Sequence, residues 1–205
     1  MAQEEKSLAE GLRALSSASL LMLLAYILLV AAALLVPILR FSYLGVLRHR
    51  PAFTAQPWGP FLVAVVAAVA GGVALYAILD KLSRSFSSLG AWKEDLKSLS
   101  PLAVAGLSIG VALMTAGIAL VAFTWLGRWV VVGLAFLTLA VGYVGLGVLS
   151  LKLGTYLNSS TFTLAGAFAI LSALVPLFAP VAWLVLYIES SAQAVKATQV
   201  EGKAT

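Results

Sequence analysis

The sequence predicts an all-α polytopic membrane protein, a bundle of about five transmembrane helices with short amphipathic segments at the membrane interface. Of its 205 residues, 62% are hydrophobic and 10% are charged, and the mean hydropathy is +1.05. Soluble domains carry about 45–50% apolar and about 25% charged residues. The apolar residues also form uncharged runs of about 20 residues or more, the length that crosses a bilayer as a helix. A membrane strand would instead alternate in polarity over about 10 residues.

Five spans are predicted, each bounded by polar or charged residues. Asp80 and Lys81 close the second span, and Ser100-Pro101 opens the third with a cap residue followed by proline at the first helical position. The first span has no positive region before it, so we interpret it as a retained span and not as a cleaved signal peptide. The predicted spans are 16–39, 58–79, 101–126, 129–151 and 161–188.

The segments outside the spans are predicted to be short. Residues 1–15 form an amphipathic segment that lies along the membrane surface, extends the first span or is a solvated lead-in turn. The connector 80–99 mixes apolar and charged residues, which is typical of an interfacial segment. Residues 189–205 form a polar C-terminal tail.

Five spans would place the two termini on opposite faces of the membrane. The positive-inside rule then has almost no bias to act on, since the basic residues divide nearly evenly. The basic connector 80–99 favours a cytoplasmic N-terminus. On the N-terminal face this count places Lys6, Arg13, Lys81, Arg84, Lys93, Lys97 and Lys152, and on the opposite face Arg40, Arg48, Arg50, Arg128, Lys196 and Lys203.

Composition excludes several kinds of chemistry. The chain has no cysteine and a single histidine, His49, so thiolate sites and paired haem ligands are excluded, and we predict no cofactor and no metal. No ionisable residue lies inside a predicted span, which argues against proton relays and charge-coupled transport. No catalytic Ser–His–Asp set is available, so we expect no enzyme. Net charge is +5, but the longest basic block is Arg48-His49-Arg50, and we expect no nucleic-acid partner.

Small residues at helical spacing predict close helix packing. Gly106 and Gly110 form a GxxxG motif, and Ala67 with Gly71 forms a second pair of small residues. Whether these faces pack within one chain or between chains is left open. The predicted helix-packing residues are Ala67, Gly71, Gly72, Gly106, Gly110, Gly117, Gly142 and Gly145.

Three further groups of residues are singled out by their position. Pro176 and Pro180 interrupt the fifth span, either as a candidate hinge or as a kink stabilised by neighbouring helices. Asn158-Ser159-Ser160 is a glycosylation-type triplet whose serines can instead cap the fifth helix, and we favour the cap. The residues expected at the lipid headgroups are Arg48, Arg50, Trp58, Trp125, Arg128 and Trp129.

Two segments together carry a resemblance to a known family. Glu10-Gly11-Leu12-Arg13 runs into Ser19-Leu20-Leu21, and Tyr156-Leu157-Asn158-Ser159-Ser160 runs into the last span. They resemble a family of archaeal multi-pass membrane proteins catalogued as a domain of unknown function. The resemblance implies an archaeal plasma membrane and no assigned activity, so no catalytic residue is carried over. A single asparagine and the absence of cysteine are typical of thermophile proteins, although span composition alone also explains them.

By elimination, these observations predict a non-catalytic structural or accessory subunit of a larger membrane assembly, and the resemblance implies that the membrane is the plasma membrane. Its expected partners are membrane lipids and either other membrane subunits or further copies of the chain. The alternative is a transporter or permease for a neutral or apolar solute, acting as a monomer or an oligomer. That alternative requires a continuous cavity lined by Thr115, Thr138 or Tyr143.

Overall fold

The computed structural model describes residues 2–47, 58–123 and 128–204, and within these ranges every regular element is a helix. The elements are α1 (Ala2–Leu47), α2 (Trp58–Tyr76), a π-helical segment (Ala77–Leu82), α3 (Ser83–Trp92), α4 (Glu94–Lys97), α5 (Ser100–Phe123), α6 (Arg128–Tyr156), α7 (Ser160–Leu174), a 3-10 turn (Pro176–Phe178) and α8 (Ala179–Ala204).

Five of the described helical stretches are long and apolar enough to cross a membrane, which confirms the predicted all-α fold class of a membrane protein. They are Glu5–Ala31, Phe61–Trp92, Glu94–Ile118, Val130–Tyr156 and Pro176–Gln199. Helix α7, at 15 residues, is an additional, shorter apolar helix.

The predicted fifth span, 161–188, is wrong as a single helix. Val175 is extended, with φ −130° and ψ 99°, because a proline follows it and disfavours the helical conformation at the residue before. The chain then reverses: the Ser159 hydroxyl, before α7, donates to the Glu189 carboxylate on α8 at 2.6 Å. Helices α7 and α8 therefore form an antiparallel hairpin.

This extra reversal brings residues 2–15 and 190–204 to the same end of the bundle, which we call the terminal end. Helices α1 and α8 run antiparallel there, with the hydroxyls of Ser16 and Ser191 2.6 Å apart. The prediction that the two termini lie on opposite faces is therefore wrong. The opposite end, where α1 connects to α2 and α5 to α6, is called the loop end.

The corrected topology changes the distribution of charge. All acidic residues and most basic residues now belong to the terminal end. Arg48 and Arg50 lie outside the described residues and are assigned by their place in the connection between α1 and α2. The basic residues of the loop end are Arg40, Arg48, Arg50 and Arg128. The positive-inside rule, nearly balanced for five spans, now strongly favours one end.

The connector 80–99, predicted as an interfacial segment, packs one of its faces against the bundle and leaves its charged face exposed. Helix α3 continues α2 through the π-helical segment, and the Ser85 hydroxyl donates to the Gly11 carbonyl of α1 at 2.8 Å. Four apolar side chains that the sequence intersperses with charges face inward. The fully buried ones are Leu82, Phe86, Leu89 and Leu96.

Both terminal segments are helical extensions of the bundle. Of the three roles left open for residues 1–15, the structure shows an extension of the first helix, with Leu12 and Leu15 buried. The polar segment 189–205 was expected as a tail, but α8 continues through it to Ala204, with Ser190 and Ala194 buried. The two extensions pair with each other beyond the apolar layer.

We predict that residues at the two ends of the chain are reached from the same side of the membrane. The native chain has no cysteine, so single cysteines at exposed Glu5 and Gln199 can be labelled in sealed vesicles with an impermeant maleimide. Both should react in vesicles of one orientation, and Arg128→Cys, at the first residue of α6, in vesicles of the other. Reaction of Glu5→Cys and Gln199→Cys from opposite sides would overturn the topology. The cysteine-free parent supplies the background.

Candidate functional site

The glycines of α5 and α6 bring the two backbones into direct contact. A Cβ atom added to Gly106 would lie 2.5 Å from the amide nitrogen of Gly142, and one added to Gly145 would lie 2.9 Å from that of Ala103. A Cβ on Gly110 would meet a leucine side chain of α6 at 2.6 Å. Since real Cβ atoms do not approach so closely, only glycine fits at these positions. These small-residue faces are thus used within one chain.

The small residues of α2 divide between two faces of the helix. Ala67 is fully buried, and a Cβ atom on Gly71 would collide with Thr115 of α5. Gly72, in contrast, has nothing within 4 Å of an added Cβ and is exposed. On α5, Gly117 lies against Val132 of α6, at 3.0 Å from an added Cβ.

The sequence analysis did not predict the glycines through which α7 packs against α6. A Cβ on Gly154 would lie 2.5 Å from the Thr163 hydroxyl, and one on Gly166 would lie 2.9 Å from the Gly147 carbonyl. Gly147 and Gly154 are seven residues apart and so share one helix face, which is the signal that was available. Nothing in the sequence pointed to Gly166 as their counterpart.

Helix α7 reaches only about half-way along α6. We therefore call the antiparallel pair of α7 and α8 the half-hairpin. Both helices have one end at the terminal end, but α7 has 15 residues, about 22 Å, against about 43 Å for the 29 residues of α6. The apolar part of α6 lies between two charged residues, Arg128 and Lys152. At a rise of 1.5 Å per residue, these two residues are about 36 Å apart along the helix. Ile170 of α7 packs against Gly147 of α6. Leu174 is one turn beyond Ile170, so it lies near the middle of the apolar part of α6.

The tip of the half-hairpin, residues 174–178, is exposed. Leu174 and Leu177 have 80% and 76% of their surface accessible, among the most exposed apolar residues described. The backbone is irregular at the same place, because the Phe178 amide donates to Val175 at 3.1 Å instead of continuing the helix. Pro176 has no N–H, so the preceding turn loses a donor as well.

Inside the half-hairpin, polar groups are paired. The Trp183 indole N–H donates to the Tyr143 hydroxyl at 3.2 Å, and both side chains are buried. One backbone carbonyl of the tip, that of Pro176, accepts from the Tyr26 hydroxyl of α1 at 3.4 Å. These bonds tie the inner side of the hairpin to α6 and α1, which leaves the outer side of the tip without cover.

The base of the half-hairpin is held by Ser159 and Glu189. The Ser159 side chain accepts from the Phe162 amide at 3.3 Å, which confirms the predicted cap of the last apolar segment. The same hydroxyl donates to Glu189, whose carboxylate also accepts from the Gln193 amide at 2.8 Å. The sequence placed Glu189 at a span end but gave no signal that it would face Ser159.

The two prolines have different roles. Pro176 begins the irregular tip, whereas Pro180 is the second residue of α8, a position in the first turn where proline is tolerated. Pro176 and Pro180 thus lie where the chain reverses. The predicted single span 161–188 would have placed them at a bend within one helix. The candidate hinge is a chain reversal in this structure.

The predicted headgroup residues lie at the loop end or outside the described part. Trp58 is the first residue of α2, and Arg128 and Trp129 are the first two of α6. Arg48, Arg50 and Trp125 lie outside the described residues.

The carboxylates of the terminal end form ion pairs. Asp80 contacts Lys81 at 2.9 Å and Arg84 at 2.6 Å, and Asp95 contacts Lys152 at 2.8 Å. Within the described ranges, no three His, Asp or Glu side chains are grouped as a metal site requires.

The side chains named for a transport path are engaged in packing. The Thr115 hydroxyl donates to the Val111 carbonyl at 2.8 Å, and that of Thr138 donates to the Leu134 carbonyl at 2.9 Å, both within their own helices. Thr115 also abuts Gly71, and Tyr143 is bonded as described. Their arrangement gives the transporter alternative no support.

No family model, curated protein or solved structure matches the chain. The resemblance to the archaeal family stays a prediction, and the role of the chain must be inferred from its own geometry.

We predict that Gly106→Ala destabilises the bundle by about 1–3 kcal/mol, because the added methyl group forces α5 away from Gly142. Gly72→Ala is the matched control, since open space lies beside it, and it should leave stability unchanged or slightly raised. Equilibrium unfolding in mixed micelles with increasing dodecyl sulfate measures both. Equal effects of the two substitutions would contradict the packing described.

We predict a loss of about 0.6–1.7 kcal/mol for Tyr143→Phe, because it leaves the Trp183 indole N–H unpaired in an apolar interior. Ser108→Ala is the control: that hydroxyl bonds only within its own helix, to the Val104 and Ala105 carbonyls. The same unfolding measurement applies. A Tyr143→Phe protein as stable as the parent would show that the bond adds nothing to stability.

Proposed function

We propose that this chain is a non-catalytic accessory subunit of a larger assembly in the plasma membrane, and that the tip of the half-hairpin receives a helix of a partner subunit. The observation that carries the proposal is the exposed, irregular backbone of residues 174–178 near the middle of the apolar layer.

Hydrocarbon cannot cover this tip. Lipid-exposed irregular backbone does not occur within the hydrocarbon region, and it is tolerated only where protein or a water-filled cavity covers it. Water is a poor occupant here, because the outermost side chains of the tip are Leu174, Val175 and Leu177. A protein surface is the remaining cover, and it satisfies both the backbone and the leucines.

The occupant we favour is a different chain, and not a second copy. In a two-fold dimer the same surface faces itself. The tip offers apolar side chains, and its Val175 and Pro176 carbonyls already accept from the Phe178 and Ala179 amides. The nearby Ser172 hydroxyl already donates to the Phe168 carbonyl at 2.7 Å. The same tip on a second copy would therefore bring no side-chain donor for the remaining lone pairs of these carbonyls. A partner helix that supplies a hydroxyl, amide or indole donor completes the tip.

The charge distribution supports an orientation for this subunit. Every acidic residue and nine of the 13 Lys and Arg residues belong to the terminal end, with the other four at the loop end. By the positive-inside rule the terminal end faces the cytoplasm. This keeps the cytoplasmic N-terminus favoured from the sequence and adds the C-terminal helix to the same side.

We predict that Leu177→Asn releases the partner, because a polar side chain at the tip disrupts an apolar contact at mid-depth. The control is Leu137→Asn on α6, the same change at a residue that is 66% exposed and also in the apolar part of its helix. Complexes purified from the native membrane in mild detergent are weighed by native mass spectrometry. The parent and Leu137→Asn should retain a second polypeptide in fixed ratio, and Leu177→Asn should lose at least about nine-tenths of it.

Other outcomes of this experiment are equally decisive. A parent protein that is only monomeric would overturn the proposal, and a parent that is only a homo-oligomer would replace the partner by a second copy. A photo-crosslinking residue at position 177 provides an independent readout in intact membranes. It should give one adduct of defined mass, heavier than the chain plus lipid and different from twice the chain mass.

A further inference from the structure

An open groove of about 640 Å³ lies between α1 and α8 at the terminal end. Its walls are helices that run antiparallel, so one end of the groove opens toward the apolar layer and the other toward water. The polar residues that line it are Arg13, Ser16, Ser17, Ser191, Thr198 and Gln199. This site is distinct from the tip of the half-hairpin and takes no part in the proposed partner contact.

The donors in this groove suit a phosphate group. Arg13 is exposed, and one of its five N–H donors is directed to the Thr198 hydroxyl at 2.8 Å. A guanidinium binds phosphate oxygens through charge-assisted hydrogen bonds, which are about twice as strong as neutral ones. The Ser16 and Ser191 hydroxyls line the same groove and lie 2.6 Å apart, one donating to the other, so this pair keeps one hydroxyl hydrogen for a phosphate oxygen. The Ser17 and Thr198 hydroxyls donate to the Arg13 and Ala194 carbonyls.

Toward the apolar layer, exposed aliphatic side chains follow the groove-lining residues along the same two helices. Leu20 and Ile27 follow Arg13 at seven-residue intervals on α1, and seven residues keep a side chain on one helix face. Leu184 lies seven residues before Ser191 on α8. All three aliphatic side chains are exposed. From Arg13 to Ile27 the stripe is about 21 Å long, more than the half of a hydrocarbon core of about 30 Å that one leaflet occupies.

The depth of the groove matches that of lipid headgroups. Ser191, at its floor, is two residues from Glu189 at the base of the half-hairpin. Arg13 is one turn further out than Ser16 and Ser17 on α1. The polar part of the groove therefore begins where the apolar layer ends.

We propose that the α1–α8 groove binds one phospholipid, with its phosphate on Arg13 and the neighbouring hydroxyls and an acyl chain along Leu20, Ile27 and Leu184. A free phosphate ion shares the headgroup chemistry but has nothing to place on the aliphatic stripe. The phospholipid holds the two chain ends of the bundle together by contacting both helices.

The test is a lipid titration of the purified full chain in maltoside detergent, followed by native mass spectrometry. One dioleoyl phosphatidylglycerol should bind tightly, and Arg13→Gln should weaken it about ten-fold, as the loss of a charged hydrogen bond predicts. Lys196→Gln is the matched control, because it removes the same charge from an exposed position of α8 that does not line the groove. It should bind as the parent does.

Two comparison ligands and a second variant separate the possible results. Inorganic phosphate binding as tightly as the lipid would overturn the lipid assignment, and dioleoylglycerol binding as tightly would overturn the role of the phosphate. Leu20→Asn should weaken lipid binding while Arg13→Lys preserves part of it. Unchanged lipid affinity in both Arg13→Gln and Leu20→Asn overturns the site. Unfolding without lipid shows that each variant is folded.

Discussion

The structure depends on one constraint: within hydrocarbon, every backbone N–H and C=O must find its partner inside the protein. Helices satisfy it along their own length, which is why the described chain has no other regular element. Residues 174–178 are the place where the regular helix is interrupted. Pro176 removes a donor and Val175 leaves the helix, while the Val175 carbonyl accepts from the Phe178 amide and the Pro176 carbonyl from the Ala179 amide and the Tyr26 hydroxyl. This interruption, together with the exposed leucines beside it, is the physical basis for the proposed partner.

Packing follows a different rule in each part of the bundle. Between α5, α6 and α7 the helices approach through glycine, since lipid offers no hydrophobic drive for burying larger side chains. At the terminal end, which carries all the acidic residues, the larger side chains of Phe86 and Leu89 are fully buried. The π-helical segment Ala77–Leu82 carries the Asp80 ion pairs. It lies between the part of the bundle that packs through glycines and the part that packs through larger apolar side chains.

The sequence was sufficient for the fold class and for the small-residue contacts of α5 with α2 and α6, because both depend on composition and helical spacing. It was wrong for Gly72, which has nothing within 4 Å of an added Cβ, and it missed the contacts of Gly154 and Gly166. It was insufficient for the topology, because hydropathy identifies an apolar run but does not show whether the chain reverses its direction inside that run. Residues 161–188 read as one span, and the reversal at Pro176 changes the parity of the bundle and the side of every later charge. The contacts of Glu189 with Ser159, and of Gly166 with Gly147, join distant segments that no local spacing reveals.

The length of that run explains why the reversal lies at mid-depth. Residues 161–188 are too few for two complete spans of about 20 residues each, and more than one span needs. Helix α7 uses the first part of the run, and Glu189 marks the end of the apolar part of α8 only about 15 Å from its start at Ala179. Beyond Glu189, α8 pairs with α1 outside the apolar layer through Ser191. The apolar parts of both legs are shorter than a span of about 20 residues, and Pro176–Gln199 reaches its 24 residues only by including Glu189 and the polar residues that follow it. With Glu189 at the membrane interface, the tip lies at mid-depth, among acyl chains unless another protein covers it.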